Sequence, residues 1–180
     1  MASEIERSEK HRTHLTCPHH AAASGGDEYF RGHLGSSAVE GDSYGSGDDN
    51  PIGLGLTFES VDDVPGRGSR TLIATWLPQP LHRGAPGLLH GGLAATSLDE
   101  CMGALSHALD SRATVTATMA LRYRRPVPID GRPLRVEAWR DRPELRRHNR
   151  VYGQLLLPDG DVAVEASGIF IEVGPAEMQR

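Results

Sequence analysis

The residues best suited to chemistry in this chain lie together in Gly87-Leu88-Leu89-His90-Gly91-Gly92-Leu93-Ala94-Ala95-Thr96-Ser97-Leu98-Asp99-Glu100-Cys101. A tight His-Gly-Gly turn feeds a run of small and apolar residues with the periodicity of a helix, and two acids follow. A helix start offers unpaired backbone N–H groups and a partial positive charge. Glycine there lets a ligand come close to the backbone. An anion, or an oxyanion developing on a carbonyl, therefore has a seat at Gly91 and Gly92, with a carboxylate within the same helix to act as base.

A helical wheel at about 100° per residue separates the two acids. Ala94, Leu98, Met102, Leu105 and Leu109 form one apolar stripe that must pack on something. Asp99 falls on the flank of that stripe, among Gly92, Ala95, Gly103 and Ser106. Small neighbours leave room for a ligand or a second chain. Glu100 falls nearly opposite the stripe, where solvent is expected. From the wheel alone, Asp99 reads either as a cleft acid or as a solvated acid favourable to the first half of the helix.

The elements that must hold this helix read as strands. Gly53 to Val61 alternates loosely, and Ser69 to Leu77 is rich in β-formers; the helix runs from His90 to about Leu109. Val115 to Tyr123, Leu134 to Trp139, Arg150 to Leu157 and Val162 to Val173 follow in meander style. Asp130-Gly131 and Pro158-Asp159-Gly160-Asp161 mark turns between them. Two strands, one helix and four strands predict an α+β domain, an antiparallel sheet with one long helix packed on it.

Composition narrows the class. The chain has 180 residues, enough for one domain with a real core. No apolar run approaches the ~20 residues that span a bilayer. The opening Met-Ala-Ser-Glu-Ile-Glu lacks the basic and apolar regions of a secretory signal, and Cys17 and Cys101 are too few for a disulfide framework. A cytoplasmic protein is expected. The net charge of −5 argues against a nucleic-acid binder. Residues 1–50 carry five of the nine histidines, many Gly, Ser and Asp, and no sustained periodicity, which predicts a flexible arm ahead of a domain over 51–180. His11, His14, Cys17, His19 and His20 are metal-ligand types, but no second half of a closed site follows, so a solvated tail is the reading and no metal is expected.

The His-Gly-Gly turn with Asp99 nine residues after the histidine resembles the hotdog-fold acyl-CoA thioesterases, in particular their phenylacetate-pathway and mitochondrial branch. Asp49-Asn50-Pro51-Ile52-Gly53-Leu54 is similar to the Asn-Pro-x-Gly-Leu segment that opens the fold there. Thr116 to Pro126, ending Tyr123-Arg124-Arg125-Pro126, is similar to the strand after the helix, which closes on Tyr-x-Arg-Pro. The resemblance covers about residues 43–173. One departure is Ser43-Tyr44-Gly45-Ser46-Gly47, where many relatives carry Cys-x-x-Cys-Gly.

The resemblance implies a sheet of five or six antiparallel strands wrapped around the long helix. It implies a homodimer, often a dimer of dimers, with the active site between subunits and no cofactor. It assigns Asp99 as the catalytic carboxylate, general base or nucleophile, and the Gly91 N–H as the group that polarises the thioester carbonyl. Thr116 positions the water or the carboxylate. His90 either bonds near the thioester or fixes the turn. Gly92, Arg124 and Arg125 are the candidates for contacting substrate, an acyl thioester of coenzyme A or of a carrier protein. Arg122, Arg142, Arg146 and Arg147 are further candidates for coenzyme A phosphates or are ordinary solvated charge. Two other functions share the fold: a hydroxyacyl dehydratase or hydratase, suggested by His82 in Leu81-His82-Arg83-Gly84-Ala85-Pro86-Gly87, and a non-catalytic binder of acyl thioesters.

Overall fold

A computed structural model describes residues 44–46 and 52–174. The predicted arm lies outside the described residues except for Tyr44 to Ser46, as do the histidine cluster and the Asn50-Pro51 pair. Six strands and one long helix follow in the expected order: β1 (Thr57–Asp62), β2 (Thr71–Trp76), α1 (Gly91–Asp110), β3 (Thr114–Tyr123), β4 (Leu134–Arg140), β5 (His148–Leu156) and β6 (Val162–Glu172). All pairings are antiparallel, in the order β1-β2-β4-β5-β6-β3. The four strands after the helix are not a simple meander. Only β4-β5-β6 is one; β3 leaves the helix and takes the far edge, beside β6. The β3–β6 pairing puts the strand that follows the helix at one edge of the sheet, while β1 holds the other.

One face of the sheet carries the apolar half of each strand. Leu72, Ala74 and Trp76 of β2, Leu134, Val136 and Ala138 of β4, Val151 and Leu155 of β5, and Val164, Ala166 and Phe170 of β6 all point at α1. The helix answers with Ala94, Leu98, Cys101, Met102 and Leu105, each at most 2% exposed. Leu109 is only half-buried, while Ala108 joins the core, so the apolar stripe drifts toward the end of the helix. Truncating Leu98 or Leu105 to Ala would cost about 2–5 kcal/mol in such a packed core. Close approach depends on Gly153: a Cβ there would stand 2.9 Å from Met102 Sδ and 3.0 Å from a Leu98 methyl. No helix among the described residues is long and apolar enough to cross a membrane.

Both ends of α1 are fastened. His90 is the N-cap in extended backbone (φ −67°, ψ 128°), and Ser111 closes the C-terminus in the left-handed region at φ 55°. Arg140, 2% exposed, ties that end to the sheet by donating to Asp110 Oδ2 at 2.8 Å and to the Pro143 carbonyl at 2.6 Å.

Candidate active site

The first turn of α1 accounts for its amides in a specific way. The Gly92 N–H donates to His90 Nδ1 at 3.0 Å, and the Leu93 and Ala94 amides donate to the His90 carbonyl at 2.9 and 3.3 Å. The Gly91 N–H has no partner among the described residues. His90 therefore caps the helix through its ring, while its main-chain N–H donates to the His82 carbonyl at 3.0 Å. A neutral ring that accepts at Nδ1 carries its proton on Nε2. Of the two glycines, Gly91 keeps a free donor and Gly92 has spent its own on the cap.

Two and a half turns further along, Asp99 is half-buried, and its Oδ1 accepts from the Thr116 hydroxyl at 2.7 Å. The other carboxylate oxygen makes no bond among the described residues. Thr116 reaches it because the start of β3 runs along the small-residue flank of the helix. Thr114 Oγ1 donates to the Gly103 carbonyl at 3.3 Å on the same flank. The chain's own strand thus covers part of the surface that the wheel left for a ligand or a second chain.

Farther along β3, Tyr123 Oη donates to the Gly91 carbonyl at 2.8 Å. Strict strand alternation would send Thr116 and Tyr123 to opposite faces, since they are seven apart. A bulge removes the conflict. Thr116 pairs with Phe170 but Thr118 pairs with Ile169, so Ala117 is the extra residue. Before it, Thr114 and Thr116 face the helix; after it, Met119, Leu121 and Tyr123 do, opposite the inward Gly168, Ala166 and Val164. One strand therefore supports both the carboxylate and the helix start. Tyr123 was visible in the sequence as the end of a strand motif, but nothing there gave it a role.

Glu100 departs from expectation. It is half-buried, not solvated, and its Oε1 accepts from Ser46 Oγ at 2.7 Å. The Tyr44 and Gly45 carbonyls accept from the Leu54 and Leu56 amides, which lays this short turn across the helix. Gly45 leaves room for the carboxylate: a Cβ would lie 2.3 Å from Glu100 Cδ and push that side chain aside. A helical wheel knows only its own helix, and the covering residues come from a segment 54 positions earlier.

The candidate arginines divide. Arg124 donates twice to Glu165 Oε2, at 3.0 and 2.8 Å, and Arg125 pairs with Asp161. Both still border a groove of about 320 Å³ beside Gly91, whose walls are Leu88, Leu89, Ala94, Tyr123, Val127 and Val164. Exposed pairs of this kind are weak, so the guanidinium groups stay available to an anion. Arg142 and Arg146 line a separate hollow with His148 and Arg150, and Arg122 lies on the open face of the sheet.

His82 is placed where it meets no substrate. It is 1% exposed, tilted against Trp76 at 5.4 Å, and its Nδ1 accepts from the Gln79 amide at 2.9 Å. Burial pushes its imidazole below the usual value, with the Gly53 carbonyl partly opposing the shift. This geometry withholds from His82 the role that a dehydratase would require. Among the described residues no group of His, Cys, Asp and Glu could hold a metal ion.

Comparison with known proteins agrees with the fold and the order of motifs. The thioesterase superfamily matches residues 86–142, which span the helix start, Asp99, Thr116 and Tyr123. The acyl-coenzyme A thioesterase THEM4 of Bos taurus is 30% identical over 121 residues, 67% of this chain; the chain spans about half (48%) of the length of that relative. Among solved structures, a phenylacetic acid degradation-related protein from Ralstonia eutropha superposes with a TM-score of 0.60 at 23% identity, covering 79% of this chain and 98% of its own. A protein from Streptococcus mutans, solved bound to acetyl-CoA, superposes with a TM-score of 0.57 at 18% identity, covering 66% and 89%. The chain has the hotdog fold, a sheet around one long helix, and matches the thioesterase superfamily across the helix and strand that carry the candidate site.

Proposed function

We propose that this protein hydrolyses acyl thioesters, of coenzyme A or of a carrier protein, at a site shared between two copies of the chain. The observation that carries this reading is Asp99, held at one oxygen by Thr116 and open at the other, on the same helix as an unpaired Gly91 amide. A water bonded to the open oxygen of Asp99 loses a proton to it while its oxygen attacks the thioester carbonyl carbon. The Gly91 N–H stabilises the oxyanion at the helix start, a preorganised donor that needs no rearrangement during the reaction. The carbon–sulfur bond then breaks, the proton passes from Asp99 to the leaving sulfur, and acid and thiol depart. Asp99 can also serve as the nucleophile, with water opening the resulting anhydride; transfer of labelled oxygen from Asp99 into the acid product separates the two routes.

The length of the helix supports a shared site. Gly91 and Asp99 are eight residues apart on one helix, about 12 Å at 1.5 Å per residue. A carbonyl held at Gly91 needs its nucleophile within about 3 Å of the carbon, which favours a carboxylate nearer than the one on the same helix. A second copy whose helix runs antiparallel to the first brings its own Asp99 to the Gly91 of the first. The edge of β3 supports such a pairing: from Thr114 to Leu121 it carries no charge, and its outer side is unpaired. Long uncharged edges are surfaces that pair. The groove beside Gly91 supports an apolar chain lying between Leu88 and Val164, with Arg124 and Arg125 at its rim for an anionic carrier group.

The test is thiol release from a panel of acyl-CoA and acyl-carrier-protein substrates. Turnover that vanishes in Asp99→Asn and in Gly91→Pro supports the proposal. Proline suits this position: His90 is already extended, and proline at the first helical residue removes the N–H while its Cβ meets the Tyr123 ring at ordinary contact distance, 3.4 Å. Enoyl product without thiol release would point to the dehydratase, and tight binding without turnover to the non-catalytic binder.

A further inference from the structure

We infer that Tyr123 is a positioning residue for the carbonyl site: acting through the Gly91–Gly92 peptide, it holds the free Gly91 amide and the His90 ring in one fixed arrangement. The inference rests on the thioester reading above and adds a residue to it. Gly91 and Gly92 open the helix, and two consecutive glycines have more backbone freedom to lose than any other pair. A donor that must meet an oxyanion at one point in space needs that freedom removed. The Gly91–Gly92 peptide is gripped at both ends. Its carbonyl accepts from Tyr123 Oη at 2.8 Å, and its N–H donates to His90 Nδ1 at 3.0 Å. The Tyr123 ring also lies against Gly91, where an added Cβ would meet it at 3.4 Å.

A hydrogen bond to the carbonyl of a peptide strengthens donation from the N–H of the same peptide. Tyr123 therefore reinforces the bond into His90 Nδ1. That bond keeps the ring proton on Nε2. The bulge at Ala117 is what aims Tyr123 at the helix, so the same irregularity that gives Asp99 its threonine gives the helix start its clamp.

Tyr123→Phe keeps the ring and removes the hydroxyl. The expected result is a kcat lower by roughly tenfold with KM changed by less than about twofold, because the lost restraint acts on the transition state and not on binding. Nitrogen NMR of the free protein gives a second readout that needs no substrate. His90 in the parent is a single Nε2-protonated tautomer, and Tyr123→Phe shows a mixture. An unchanged kcat together with an unchanged tautomer overturns the inference. A parent protein that releases no thiol from any substrate defeats the hydrolase reading itself, while the tautomer comparison still decides whether Tyr123 holds the ring.

Discussion

Asp99 and Glu100 are adjacent carboxylates on one helix, and the fold treats them as opposites. Glu100 lies under a turn whose glycine leaves just enough space for it, and Ser46 donates to it from within. Asp99 lies along an edge strand, receives one hydroxyl from Thr116, and keeps an oxygen for something else. Two histidines repeat the contrast. His82 and His90 both accept a backbone amide at Nδ1, but His82 is packed against Trp76 while His90 is exposed at the helix start. Residue type does not separate structural from reactive groups here. The covering segment does: the turn over Glu100 brings Ser46 to its carboxylate, whereas the cover beside Asp99 supplies Thr116 to one oxygen and stops short of the other.

That contrast can be broken by substitution. Asp99→Asn keeps the shape and the Thr116 contact while removing the proposed base, and kcat should fall by about 10²–10⁴-fold in a thiol-release assay. Thr116→Val removes the bond that orients Asp99; a hydrogen bond to a charged group is worth about 1.5–3 kcal/mol, so a kcat lower by at least roughly tenfold is expected. Glu100→Ala should leave kcat within about twofold and lower the denaturation free energy by about 1 kcal/mol, the usual net value of one hydrogen bond. A large loss of activity in that variant would erase the distinction between the two acids.

The smallest effect should come from His82. Its folded value is depressed by burial below the usual 6.5, so the unfolded chain takes a proton in that range before the folded chain does. Stability from this group is complete above about pH 6.5 and declines as pH falls toward the lowered folded value. The melting temperature should drop as pH falls below about 6.5, and His82→Gln should flatten that slope. An unaltered slope would mean that His82 is not held neutral by burial.

Much of this architecture was legible in residue patterns because it is governed by local periodicity. The alternation in β4 to β6, the Gly160 turn at φ +89° and the small-residue flank around Asp99 each leave a short-range signature. What was illegible depends on register and on distant segments. The place of β3 beside β6 follows from long-range pairing that no window of sequence contains. A bulge at Ala117 has no glycine to announce it, and plain alternation would send Thr116 and Tyr123 to opposite faces. The cover over Glu100 comes from 54 residues away. For Arg124 and Arg125, the sequence shows the charges but not Glu165 and Asp161, which meet them from the next strand and its turn.

The separation of Gly91 and Asp99 along one helix also has a genetic consequence. If each site borrows one group from either chain, a Gly91→Pro chain and an Asp99→Asn chain are each inactive alone yet complement when produced together. Random association makes about half of the pairs mixed, and each mixed pair inherits both defects at one site and neither at the other. About a quarter of the parental activity should return from two null alleles, a ratio set by the combinatorics of subunit exchange.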